Sequence, residues 1–181
     1  MTETLIQPAL SEEVFVMPEI AFRLFQHGDA SAFRELNEEW IARYFRLEEH
    51  DHFQLGDPED NILRAGGQIA MAVAGEERIG CCALIFLRPG VFEVAKMAVS
   101  ERYRGHGIGR KLLEYTIAQA KTLGAHTLEL VSSSKLANAI HLYESLGFRH
   151  LSAERVEPSP YARADVFMEL HLSPDDEISG V

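Results

Sequence analysis

Between Val99 and Arg110 the chain reads Val-Ser-Glu-Arg-Tyr-Arg-Gly-His-Gly-Ile-Gly-Arg, with Gly105, Gly107 and Gly109 at alternate positions. Glycine accepts positive φ and lets a ligand come close to the backbone. Where a strand gives way to a helix, successive amides can converge on an anion, and the helix N-terminus adds its dipole. Arg104 and Arg110 bring positive charge into a chain whose formal charge is −11. The chemistry implied is phosphate binding. The spacing is not the dinucleotide fingerprint, which needs its third glycine three positions after the second, and no Gly-Lys-Ser/Thr follows to make a P-loop. From the glycines alone, a turn that binds nothing is the competing reading.

The rest of the composition narrows the field. A chain of 181 residues suits one domain, expected here to span 1–181, with loose ends over about 1–13 and 173–181. Acidic residues number 28 against 17 basic ones, so broad binding to a nucleic-acid backbone is not expected. No run of 18 or more apolar residues is present to span a membrane. Met1 to Gln7 lacks the basic and apolar regions of a secretory signal, and the two cysteines, Cys81 and Cys82, are adjacent and poorly placed to pair. A reducing cytoplasm is the expected setting.

The elements that must position the glycine segment are legible from periodicity. Ile20 to Gln26 reads as a strand, and Gly28-Asp29 as a turn with Asp29 the N-cap of a helix from Ala30 to Phe45. Leu47 to Ala65 is polar with short apolar touches, and Pro58 can start a helical turn. Strands are expected at Gln68 to Ala74, Arg78 to Leu87 and Val91 to Val99, joined by tight turns. A helix from Ile108 to Leu123 ends at Gly124, Thr127 to Val131 is a buried strand, and Leu136 to Leu146 is a helix stopped by Gly147. Phe148 to Glu154 and Ala164 to Leu172 read as closing strands. Tight turns imply an antiparallel start, and the later strand–helix–strand units imply at least one parallel pair. The fold class is therefore α/β, with a mixed, mostly antiparallel central sheet and flanking helices.

With these surroundings, the segment resembles the GNAT superfamily of acetyl-CoA-dependent N-acetyltransferases. Arg104, Gly107 and Gly109 match the family's Arg/Gln-x-x-Gly-x-Gly/Ala loop after a strand ending Met97-Ala98-Val99. A second block, Ala139-Ile140-His141-Leu142-Tyr143-Glu144-Ser145-Leu146-Gly147-Phe148, matches the late helix and the strand after it. The resemblance is strong from about Arg78 to Phe148 and implies a GNAT-like acyl-CoA N-acyltransferase fold with acetyl-CoA as co-substrate. It implies that the backbone of Met97, Ala98 and Val99 pairs with pantetheine at an opening, often at a β-bulge, between that strand and the next. It also implies that Gly105, His106, Gly107, Ile108, Gly109 and Arg110 hold the pyrophosphate together with Arg104.

The same resemblance suggests the chemistry. Free amines are mostly ammonium at neutral pH, so a base or a water relay is useful. Glu93 occupies the place of the base glutamate of the histone-acetylating branch, and Glu129 that of a second branch; Glu93 is favoured, with water alone also open. Tyr143 matches the tyrosine near the cofactor sulfur, where it can act as an acid, although a core aromatic would look the same. The family asparagine after the late strand has no clear match in Ser132-Ser133-Ser134-Lys135, which leaves Asn138 as a candidate cofactor contact.

Tyr161 and Arg163, before the last strand, are candidate acceptor contacts, while Trp40 is expected to pack structurally. Glu48-Glu49-His50-Asp51-His52 is expected to be a solvated loop rather than a metal site. The function expected is acetyl transfer to a primary amine of a small molecule or peptide, with a cationic acceptor weakly favoured by the acidic surface. The alternative is a non-catalytic acyl-CoA-binding or sensor domain. No nucleic-acid or membrane partner is expected, and a homodimer is left open.

Overall fold

The computed structural model describes residues 17–156 and 158–172. The loose ends expected over 1–13 and 173–181 lie outside the described residues. Apolar side chains on alternate positions of a central strand must be covered on both sides. In β2 (Gln68–Ala74), Ile69, Met71 and Val73 face one layer, and Ala70, Ala72 and Ala74 the other. Around β2 a seven-stranded sheet runs in the order β1-β2-β3-β4-β5-β7-β6, with β1 Ile20–Leu24, β3 Glu77–Arg88, β4 Val91–Val99, β5 Thr127–Ser132, β6 Arg149–His150 and β7 Val166–His171. Only β4 and β5 pair in parallel; the other neighbours are antiparallel. The mixed, mostly antiparallel α/β expectation therefore holds.

One face carries α1 (Ala30–Tyr44) and α2 (Glu49–Gly56). Phe33, Leu36 and Ile41 of α1, with Leu55 of α2, bury there against Met71, Cys81 and Ala98. The other face carries α3 (Ile108–Thr122) and α4 (Ala137–Ser145), with Ile108, Leu112 and Leu113 against Cys82, Leu84 and Phe92. Cys81 and Cys82 thus belong to opposite layers, both buried and both free. Among the described residues, no helix is long and apolar enough to cross a membrane.

Three local expectations are corrected. The stretch expected as a polar loop forms α2 and a short π-helical turn at Glu59–Leu63. Its start is a reciprocal cap: the Glu48 side chain accepts from the Asp51 amide, and the Asp51 carboxylate accepts from the Glu48 amide at 3.0 Å. The strand expected over Phe148 to Glu154 shrinks to Arg149–His150, because Ala153–Arg155 turns away as a 3-10 helix.

Asp29 is not a side-chain cap for α1. Its fully buried carboxylate instead accepts from Arg23 Nη2 at 3.0 Å, Arg78 Nε at 2.9 Å and the Gln26 amide at 2.9 Å. It staples β1 and β3 to the start of α1. Burial pushes this carboxyl up, but the hydrogen bonds from Arg23, Gln26 and Arg78 outweigh it and hold it at about 2.

Breaking a buried pair from one side leaves uncompensated charge, so Asp29→Ala is expected to cost about 3 kcal/mol in urea unfolding at neutral pH. A lowered carboxyl stabilises the fold above its unfolded value and stops doing so as pH falls toward its folded value. The gap between wild type and Asp29→Ala should therefore narrow from about pH 5 to pH 2; a gap that stays constant over that range would contradict this assignment.

Candidate active site

The site begins where two strands part. β4 pairs with β5 only through Val91, Phe92 and Glu93, opposite Thr127, Leu128 and Glu129. Beyond Glu93 the two strands diverge and expose the β4 backbone on that side. The pairing of β4 with β3 slips at the same place: Cys81 faces Ala98 while Ala83 faces Ala95, so Lys96 and Met97 together oppose Cys82. Lys96 has φ +50, the only positive φ of a non-glycine among the described residues. This is a β-bulge. Phe92 and Val94 pack in the α3–α4 layer, and after the bulge Met97 and Val99 do so. The extra residue lets Glu93 and Lys96, three apart, serve the same side of the sheet.

The opening is a cavity of about 640 Å³. One end is the glycine loop. After β4 a 3-10 turn at Glu101–Tyr103 leads to Arg104, then to Gly105 (φ +81) and Gly107 (φ +76), which caps α3. A Cβ at Gly105 or Gly107 would meet no atom within 4 Å, so the loop presents bare backbone to open space. The first-turn amides of Ile108, Gly109 and Arg110 have no carbonyl acceptor among the described residues. A cradle of positive-φ glycines and unpaired amides fits a diphosphate. Arg104 lines the cavity with its Nε donating to the Val99 carbonyl at 2.8 Å, so it braces the loop as well as charging it. At Gly109 a Cβ would sit 3.5 Å from Met97 Cε, an ordinary contact where helix packs on strand. Met97, Ala98, Val99, Ile108 and Asn138 also line the cavity, whereas His106 and Arg110 do not; Arg110 donates to Ser145 Oγ at 2.5 Å.

Tyr143 enters the cavity wall from α4, its ring edge-on to Phe148 at 6.0 Å between centroids. Burial, with the Cys82 sulfur nearby, raises its phenol well above the ordinary tyrosine range. Its hydroxyl makes no hydrogen bond with any described residue, so it can serve a ligand. Core packing and a free hydroxyl coexist in this side chain.

Glu93, Lys96, Trp40, Tyr44, Phe45, Tyr161 and Arg163 line the other end. Burial pushes the Glu93 carboxyl up; the Lys96 cation pulls it back and the Glu129 carboxylate adds to the rise, which leaves it at about 7. Its partner in register, Glu129, is tied to Arg88 at 2.6 Å and does not line the cavity. Of the two glutamates, only Glu93 reaches the opening. Trp40 packs with Tyr44 and Phe45 at centroid distances of 5.5 and 6.3 Å and lines the cavity as well.

The sequence reading missed the network behind this end. Lys96, 5% exposed, donates to Asp51 Oδ1 at 2.6 Å and to Tyr161 Oη at 2.8 Å. Tyr161 in turn donates to Gln54 Oε1 at 3.1 Å. Arg163 forks onto both oxygens of Asp51 at 2.8 Å and onto Glu48 at 2.8 Å. Burial pushes the Asp51 carboxyl up, but hydrogen bonds from Arg163 and Lys96 more than cancel that and hold it at about 2. Tyr161 and Arg163 therefore do line the cavity, but α2 and the bulge lock them in place. A lysine in the otherwise apolar run Val94-Ala95-Lys96-Met97-Ala98 was the signal available in the sequence.

Comparison with known proteins agrees with this geometry. A crystal structure of a GNAT-family acetyltransferase from Staphylococcus aureus Mu50 superposes with a TM-score of 0.77, at 23% identity over 86% of this chain and 100% of that one. A Bacillus subtilis acetyltransferase in complex with CoA superposes with a TM-score of 0.64, at 23% identity over 86% of this chain and 100% of that one. In sequence, the uncharacterized N-acetyltransferase YvbK of Bacillus subtilis is 33% identical over 103 residues, covering 55% of this chain and 66% of that protein. The ribosomal protein bS18 alanine N-acetyltransferase of Escherichia coli K12 is 39% identical over 79 residues, covering 42% of this chain and 53% of that protein. These two alignments thus span less than two thirds of either relative. The model of the acetyltransferase (GNAT) family matches residues 31–148, well over half of the chain, and the chain belongs to that family.

Proposed function

We propose that this chain transfers an acetyl group from acetyl-CoA to a primary amine by direct attack, with Glu93 as base and Tyr143 as acid. The observation that carries the reading is one cavity with two unlike ends: bare glycine amides at one, and at the other a carboxyl, Glu93, that burial pushes up to about 7. Relatives named as N-acetyltransferases support an amine acceptor. The free Tyr143 hydroxyl and the poised Glu93 both favour catalysis over a purely binding or sensor role. We read the domain as spanning 1–181 and working in a reducing cytoplasm, in keeping with two buried free cysteines.

When bound, acetyl-CoA supplies the acetyl group as an activated thioester. The amides at Gly105 to Arg110 hold its diphosphate without reorganising, and the open edge of β4 at Met97 to Val99 offers backbone groups to its pantetheine arm. Glu93 takes a proton from the acceptor ammonium; a carboxyl held near neutrality is ionised often enough to accept it and basic enough to do so usefully. Tyr143, like any phenol, is protonated at neutral pH, and its hydroxyl in the cavity wall is placed to hydrogen-bond the departing sulfur and protonate it as the attacking nitrogen gives up its own proton.

Three outcomes follow. Gly107→Val puts a side chain into the open space over the loop and demands positive φ of a β-branched residue, so acetyl-CoA affinity should fall at least about tenfold by calorimetry. Equal affinities would remove the cradle.

As a base Glu93 works only when ionised, so kcat should rise with pH through about 7 and level off above it. Glu93→Gln should abolish that limb and lower turnover by about 10²-fold with acetyl-CoA affinity kept. Unchanged turnover at neutral pH would pass the role to water or Glu129.

Tyr143→Phe retains the contact with Phe148 while removing the proton. Turnover should drop about 10-fold to 10³-fold, with melting temperature and acetyl-CoA affinity near wild type. A fully active variant would return Tyr143 to the core alone.

A further inference from the structure

The acetyl-acceptor end of the cavity opens beside a second hollow formed by the end of α1, the turn into α2, the β5–α4 loop and the segment before β7. The two hollows share Tyr44, Phe45, Lys135 and Arg163, so they are continuous. The charged groups lining the outer one are Arg43, Arg46, Lys135 and Arg163, against a single acid, Glu48. That is a reversal of sign on a chain with formal charge −11.

Not all of these cations are spoken for. Arg43 pairs with Glu101, and Arg163 is saturated by Glu48 and Asp51. Arg46 and Lys135 have no carboxylate within 4.0 Å among the described residues; Lys135 only stands 5.9 Å over the Phe45 ring, and Arg46 is exposed. Two cations without a carboxylate partner thus line the outer hollow together with the rings of Tyr44 and Phe45. The phosphates of the cofactor have their own seat at the glycine loop. What enters from the mouth must offer its amine to Glu93 and leave its remainder beside Arg46 and Lys135.

We propose that Arg46 and Lys135 form an anion-recognition site at the mouth, and that the acceptor is a small amine carrying a carboxylate, of the amino-acid class. This rests on the acetyltransferase reading above and departs from the cationic acceptor that net charge alone suggests. Global charge acts over a distance that salt screens within about 8–10 Å, whereas a ligand in the mouth feels the adjacent groups directly.

The test pairs binding with turnover. Glutamate and phenylalanine, their α-amides and spermidine are offered to wild type and to the Arg46→Glu/Lys135→Glu double variant. Binding to the CoA-loaded protein is read by calorimetry, and turnover by free thiol. Wild type should bind and turn over the free carboxylates at least about tenfold better than the amides or spermidine. The double variant should lose that preference through KM, with the KM for acetyl-CoA unchanged within about twofold and a melting temperature near wild type.

A double variant that handles the carboxylates as wild type does, or a wild type that prefers spermidine, overturns the proposal while leaving acetyl transfer intact. A raised KM for acetyl-CoA in its place reassigns the two cations to the cofactor and also overturns it. Charge-dependent binding of the carboxylates without turnover upholds the anion site and overturns the transferase reading instead.

Discussion

The bulge at Lys96 is the constraint on which the site depends. In a regular strand, residues three apart point to opposite faces. Glu93 would then face the α1–α2 side while Lys96 was driven into the apolar α3–α4 layer, or the reverse. The extra residue opposite Cys82 changes that parity. It sends Lys96 to Asp51, keeps Met97 and Val99 in the α3–α4 core, and ends the pairing with β5 at Glu93. A positive φ in a lysine carries a steric cost. Contacts from two residues to the ammonium offset it: the Asp51 carboxylate at 2.6 Å, and Tyr161 through its phenol oxygen at 2.8 Å and its ring at 4.8 Å.

The electrostatics of the acceptor end follow from the same anchor. Asp51 is the shared acceptor for Lys96 and Arg163, so one buried carboxylate fixes both the bulge and the segment before β7. Neutralising those two cations from behind leaves Glu93 as the uncommitted ionisable group at this end. Its rise to about 7 is thus a balance of burial against the nearby Lys96 charge. Without the cation it would rise further and be ionised less often; without burial it would be an ordinary carboxylate. Glu129, in register beside it, shows the contrast: a guanidinium at 2.6 Å and partial exposure hold it as an ion-pair partner outside the cavity.

Much of this was legible in the sequence, and the pattern of success has a physical basis. Strands β2 to β5 and helices α1 and α3 carry strong periodicity because each buries a full face, and their bounds fall within a residue or two of expectation. The glycine loop was legible because alternate glycines at a strand–helix junction have few other uses. Helix α2 was not, because Glu49-His50-Asp51-His52 is polar where it packs: of its inward residues only Leu55 is apolar, while Asp51 and Gln54 are buried through ion pairs and hydrogen bonds. A reading that equates burial with hydrophobicity misses such a helix. Asp29 misled for a related reason. An aspartate before a helix usually caps it, but here two arginines brought in from β1 and β3 outcompete the helix amides. Long-range ion pairs leave little trace in local spacing.

Net charge and the local charge at the cavity mouth have opposite signs. A sum over 181 residues favours cationic ligands, yet the mouth of the cavity is lined by four basic side chains and one acidic one. Of the acids that offset the inner cations, Asp51 is fully buried and lines neither hollow, while Glu48 is the single acid of the outer one. These carboxylates hold Arg163 in place, Glu101 holds Arg43, and Arg46 and Lys135 have no carboxylate within 4.0 Å among the described residues. Screening removes most of the distant surface field before a ligand arrives, so selectivity is decided over the last few ångströms. At that range the chain presents aromatic rings and uncompensated cations ahead of Glu93. On the proposed reading, an acceptor satisfies both: an amine to meet the carboxyl inside, and a remainder that tolerates, or uses, the positive rim it leaves outside.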